Sequence, residues 1–221
     1  MDRPVSRLFC CCVLAVVAVA PLSIGCHPGL LMATGIYMWE GGNLAPAECE
    51  LLEQKRVAVF CRPPAATEFR HAGASRQLAQ RVGMMLRENV KKIDVVPQRK
   101  VDEWLDENDT EDFEELARAV KADLVVQIEL GHFDLYSGKT VYKGSSAVQV
   151  FVNDMKDDGA IVYEKDLGEV LFPVHGDVPI QDKPVTQFQR EYVAVVAQRI
   201  SHLFYAHDPY ADFALDATAV K

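Results

Sequence analysis

Apolar positions along the chain alternate between two spacings. Arg56-Val57-Ala58-Val59-Phe60-Cys61 reads as a central strand covered on both faces, its run apolar after Arg56. Pro63 and Pro64 end it. Leu78, Val82, Met85, Leu86 and Val90 then recur at helical spacing, with Ser75 as the N-cap, which predicts a helix to about Val90. Ile93-Asp94-Val95-Val96 reads as a short strand stopped by Pro97. Val101 to Glu107 predicts a short helix with Trp104 and Leu105 inward. Asp109 or Thr110 caps a second helix that buries Phe113, Leu116 and Val120.

The spacing then changes to two. Leu124, Val126, Ile128 and Leu130 form one face of a strand and Gln127 and Glu129 the other. Gly131 marks a bulge, beyond which Phe133 and Leu135 extend the strand. Val148, Val150 and Val152 alternate in a further strand, Asp158-Gly159 is a hairpin turn signal, and Ala160 to Leu171 is the return strand. Phe172 to Pro184, with four prolines or glycines interrupting it, is a loop. Pro184 suits the first turn of a long helix reaching about Tyr205, with Phe188, Tyr192, Val195, Val196, Ile200, Leu203 and Phe204 on one face. This order predicts the mixed α/β class: a single mixed sheet with helices packed against it and a long C-terminal helix.

Composition narrows the class. The 221 residues are 49% hydrophobic and 25% charged, which excludes a low-complexity chain and a multi-spanning membrane protein. The net charge of −9 leaves no basic surplus for phosphate contacts, so nucleic acid is excluded as a partner.

The amino terminus follows a different logic. Arg3 and Arg7 precede an apolar run from Leu8 to Leu22, shorter than the roughly 20 residues a spanning helix needs. The run ends in Leu22-Ser23-Ile24-Gly25-Cys26. This segment resembles a bacterial lipoprotein signal, with Gly25 and Cys26 on the pattern and Ser23 where Leu is usual. The resemblance implies cleavage before Cys26, lipidation of Cys26 and membrane anchoring through that lipid. The alternatives are an ordinary cleaved signal and an uncleaved anchor. His27, rather than Asp, follows the cysteine. Under the sorting rule of common enterobacteria that points to the outer membrane, with the body facing the periplasm. The expected organisation is a signal over 1–25, a tether over 26–54, one domain over 55–207 and a loosely ordered tail over 208–221. Gly29 to Trp39 in the tether is apolar, and either lies against the membrane or packs on the domain.

Candidate chemistry is sparse. Cys10, Cys11 and Cys12 leave with the signal, so Cys49 and Cys61 remain beside Cys26. In an oxidising compartment they either form a disulfide or stay as two thiols, Cys61 buried at a strand end. Ser137-Gly138-Lys139-Thr140 ends like a phosphate-binding loop, but Phe133 stands where that motif needs Gly, so it reads as a turn. The six histidines form no HExxH, and His202 and His207 lie at a poor spacing for a shared helix face. The nine acids between Asp102 and Glu115 lack the glycine-centred calcium loop; helix starts and solvated faces explain them, the alternative being a contact face for a basic partner. The loop Arg62 to Ala74 follows the first strand, where open α/β sheets collect ligands, and its Arg62, Glu68, Arg70 and His71 offer contacts for an anionic ligand; a bare connector is the plainer reading. No catalytic, cofactor or metal residues are assigned, and no enzyme activity is expected. The alternative, a hydrolase or metal-dependent enzyme on the same fold, needs His and carboxylates converging in one cleft, and the sequence offers no ordered set.

From Arg76 to Phe133 the residues carry a further pattern. Leu78 to Leu86 on a helix is followed by Ile93-Asp94-Val95-Val96-Pro97, Val101-Asp102-Glu103-Trp104-Leu105, and Leu116 through Ala122-Asp123-Leu124-Val125-Val126. This resembles the envelope α/β fold shared by the TolB amino-terminal domain, the curli-secretion lipoproteins and the lipoprotein activators of penicillin-binding proteins. The resemblance covers Arg56 to about Asp134, and the remainder only by element order. It implies a non-enzymatic domain that binds another envelope protein; a subunit of a homo-oligomeric secretion assembly is the alternative. The chain carries no propeller half and no long amphipathic hairpins, and no binding residue carries over.

Overall fold

The computed structural model describes residues 44–62, 68–108 and 112–210. Within them the chain forms β1 (Arg56–Arg62), α1 (Glu68–Asn89), β2 (Asp94–Val95), α2 (Gln98–Glu107), α3 (Phe113–Val120), β3 (Leu124–Ser137), β4 (Val141–Asp154), β5 (Ala160–Phe172), β6 (Val178–Pro179) and α4 (Val185–Ser201). The strands make one mixed sheet in the order β2-β1-β3-β4-β5, with β6 on β4. β1 pairs in parallel with β2 and β3, while β3, β4 and β5 form an antiparallel meander. The expected mixed α/β sheet with a long C-terminal helix is the fold observed.

The two halves of the sheet are covered differently. α1 and α4 pack on one face along its whole width. Leu78, Val82 and Leu86 from α1 and Phe188, Tyr192, Val196 and Ile200 from α4 meet Val126, Ile128, Val148, Val150 and Val152. α2 and α3 cover the opposite face at its parallel end only. Val101, Leu116, Ala117 and Val120 meet Ala58, Phe60 and Val125 there. β1 is therefore buried on both sides, which is why its sequence is apolar throughout.

Several boundaries move from the sequence expectation. α1 begins at Glu68, ahead of Ser75, which sits buried inside the helix rather than capping it. α2 starts directly after Pro97, whose fixed φ of −57° delivers the chain into the first turn. α3 is capped by Asp112, whose carboxylate accepts from the backbone N–H groups of Glu114 and Glu115; Asp109 and Thr110 lie outside the described residues. β4 extends back to Val141, because Tyr142, Gly144 and Ser146 continue its buried face. The proline-rich loop contributes the two-residue β6. α4 ends at Ser201, and Leu203 and Phe204 are buried by the turn that follows. The bulge after Leu130 and the turn at Gly138 are where the sequence places them.

Residues 44–54, which the sequence places in the tether, belong to the same compact unit as the other described residues. Leu52 and Cys49 are buried in the main core, and Ala45 forms a bridge with His207. Burying two apolar side chains holds residues 44–54 on the body. Cys26 and the segment Gly29 to Trp39 lie outside the described residues, as does the tail from 211 onward.

Candidate functional site on the uncovered sheet face

In β4, Ser145, Ala147, Gln149 and Phe151 point away from α1 and α4, and none of them is fully buried. Register carries this face across the meander. Glu129 stands opposite Gln149, His132 opposite Ala147 and Asp134 opposite Ser145 on β3. Glu164 faces Phe151, Asp166 faces Gln149 and Glu169 faces Ala147 on β5. The core cluster of α2 and α3 contains no residue of β4 or β5, so it leaves this outer part of the face open.

Two hydrogen-bonded networks lie on this side of the sheet, the first largely buried and the second nearer solvent. Arg62 at the end of β1 donates to Glu129 at 3.1 Å, Gln127 donates to the same carboxylate oxygen at 2.7 Å, and Asn153 donates to Gln127 at 3.4 Å. Gln127 and Asn153 are buried, so this chain satisfies amides that would otherwise cost about 1–3 kcal/mol each. Farther out, Ser145 Oγ donates to Glu169 at 2.7 Å and lies 2.8 Å from His132 Nε2.

A serine beside a histidine invites the question of catalysis. The hydroxyl has one proton, and Glu169 accepts it, so His132 reaches Ser145 as an N–H donor. In that arrangement the hydroxyl proton points to Glu169 and away from the imidazole. Ser145 also sits in mid-strand with β3 and β5 paired on either side, so its backbone amide belongs to the ladder. The trio is built as a polar cross-strand contact. With Asp134, Glu164 and Asp166 exposed around it, the face is predominantly acidic.

The candidates read from sequence are dispersed. Cys49 and Cys61 are separate, free and buried thiols. Burial pushes the Cys61 thiol up to about 12, against a hydrogen bond from the Ser75 side chain, and burial raises Cys49 as well. Arg62 is committed to Glu129. Glu68, Arg70 and His71 belong to the first turns of α1, which replaces the expected connector. His202 and His207 do meet, with rings stacked at 3.9 Å, because the chain reverses after Ser201. The acidic run is partly committed. Asp106 pairs with Arg76, Glu103 with Arg99 and Glu114 with Arg118. The hydrogen bond from Arg76 holds Asp106 below the usual carboxylate range. Asp123 is also lowered, chiefly by the backbone N–H of Arg56 and then by Lys156. Among the described residues no group of three or more His, Cys, Asp or Glu could hold a metal, and no helix is long and apolar enough to cross a membrane.

No protein-family model matches this sequence, and no curated protein matches it. Among solved structures it is similar to a PelC dodecamer from Paraburkholderia phytofirmans, at 18% identity and TM-score 0.42, over 73% of this chain and 92% of that one. It is also similar to lipoprotein GNA1162 from Neisseria meningitidis, at 14% identity and TM-score 0.40, over 66% of this chain and 97% of that one. A protein from Chlamydia trachomatis shows 18% identity and TM-score 0.32 over 64% of this chain and 95% of that one. The likeness is partial in each case.

Proposed function

We propose that this chain is a lipid-anchored bacterial envelope protein whose α/β body is a non-catalytic protein-binding module. One observation carries the reading: Arg3 and Arg7, the apolar run Leu8 to Leu22, and Gly25-Cys26 occur in the order a lipoprotein signal requires. Two or more acyl chains at Cys26 hold a protein stably on a bilayer. The resemblance of Arg56 to Asp134 to envelope binding domains supports the second half of the reading. So does the half-open sheet, since its outer face is polar, uncovered and not arranged for proton transfer.

Mass spectrometry of the mature amino terminus tests the anchor. The expected product starts at Cys26 with a mass increment of acyl chains, and Cys26→Ala releases the protein from membranes. Retention of Met1, or an unmodified Cys26, overturns the anchor. A photo-crosslinking side chain at Gln149 tests the face. The expected adduct is one envelope protein, lost when Ser145→Lys is added and retained when the exposed Met84 of α1 is changed to Lys. Adducts indifferent to Ser145→Lys overturn this use of the face.

A further inference from the structure

We propose that the cleft between α2 and the end of α3 binds a small carboxylate-bearing molecule with a flat, apolar body. The cleft opens broadly to solvent and has a volume of about 480 Å³. Lys100, Glu103, Trp104 and Glu107 line its α2 wall, at the three- and four-residue spacings that share one helix face. Ala119, Val120 and Lys121 from the end of α3 and Arg56 from the start of β1 complete it.

The charges divide into committed and uncommitted groups. The Arg56 guanidinium is held by Asp94 and, at 3.3 Å, by the carbonyl of Val120. Glu103 is paired with Arg99. Neither Lys100 nor Lys121 forms an ion pair among the described residues, and neither does Glu107. Two free ammonium groups against one free carboxylate leave a surplus of one positive charge, in a chain whose net charge is −9. Three of the carbonyls at the end of α3 are engaged. Lys121 N–H bonds to Ala117 and Arg118, Ala122 N–H bonds to Ala117, and Arg56 takes Val120.

Trp104 supplies the apolar element. It is half-buried, packed against the core of α2 and α3 on one side while lining the cleft on the other. An indole face takes flat apolar groups by offset stacking. A monoanion with an aromatic body fits both features. The carboxylate lies between Lys100 and Lys121, and the ring lies on Trp104.

The chain has two tryptophans, so Trp39→Phe leaves Trp104 as a single reporter. In the full chain in detergent, labelled with 5-fluorotryptophan, fluorine NMR of Trp104 is titrated with indole-3-acetate and with its neutral amide. The expected result is a saturable shift with the acid and at least tenfold weaker binding of the amide. Lys100→Gln with Lys121→Gln should weaken the acid about tenfold without moving the ligand-free signal. Equal binding of acid and amide, or no saturable shift, overturns the proposal. The acid–amide comparison decides on the unsubstituted lysines even where the double variant misfolds.

Discussion

Tyr192 fills the centre of the main core, and two contacts fix it. Its hydroxyl donates to the carbonyl of Val170 at 2.9 Å and lies 2.7 Å from Ser146 Oγ, which supplies the second hydrogen bond. Its ring lies over Gly144, where a Cβ would stand well inside contact distance of the ring carbons. Gly144→Ala should therefore destabilise by about 3 kcal/mol or more, through overpacking rather than lost burial. Tyr192→Phe keeps the ring, strands the Val170 carbonyl, and should cost about 1–3 kcal/mol. Urea unfolding ranks the two, and a harmless Gly144→Ala refutes the packing. Titration gives a second test at this scale. Desolvation pushes Tyr163 up to about 12, with Glu48 adding to it, and desolvation raises Tyr192 too. Cys61 stands at about 12. A group whose folded pKa is raised keeps its proton when the unfolded chain has released its own. Its contribution is complete below the unfolded value and is lost as pH rises to the folded one. The urea midpoint should hold to about pH 8 and fall steadily between about pH 9 and 12. A midpoint flat across that window would contradict the burial of these groups.

Among the elements, α3 is the one most dependent on its ends. It has eight residues, too few to persist in water on packing-free propensity. The Asp112 cap, Glu114 and Glu115 in its first turn and the left-handed Lys121 at its end set its length. Asp112→Ala should cost about 1 kcal/mol. Differential scanning calorimetry should record that as a fall in Tm of about 2–4 °C. No change would mean that packing of Leu116, Ala117 and Val120 alone holds the helix. The same element shows how far the sequence can be read. Its inward residues are plain from their spacing. Its cap is not, since Asp109, Thr110 and Asp112 all satisfy the capping rule and the helix starts from the last of them. The strands behave alike. Alternation reveals β3 and β4, and the Asp158-Gly159 turn signal reveals β5, but cross-strand partners depend on register, and each bulge shifts register by one residue. His132, Ser145 and Glu169 are 13 and 24 residues apart along the chain. Their meeting follows from the Gly138 turn and the shift after Leu130, whose positions the sequence marks but whose consequence for cross-strand pairing it does not.

At the scale of the whole molecule, both edges of the sheet are blunted. β2 is two residues long and runs into Pro97. β5 is 13 residues long and would otherwise offer a template for another strand. It is interrupted twice. Register shifts leave Val162 and Leu167 as extra residues, and Gly168, with φ of 63°, supplies the left-handed step at the second bulge. Exposed Glu164, Asp166 and Glu169 add charge along the same strand. Bulges and charge together oppose edge-to-edge pairing, so any homo-oligomer of this protein should assemble through its faces and helices. Hydrogen exchange checks this. The edge-facing amides of β5 should exchange as fast in any native assembly as in dilute monomer. Selective protection of those amides on assembly would show a continuous intermolecular sheet and refute the argument. Removing the guards makes the converse test. Glu164→Val with Asp166→Val should raise the sedimentation coefficient at micromolar concentration through new association at β5. An unchanged coefficient would mean that the two bulges alone are sufficient to keep the edge closed.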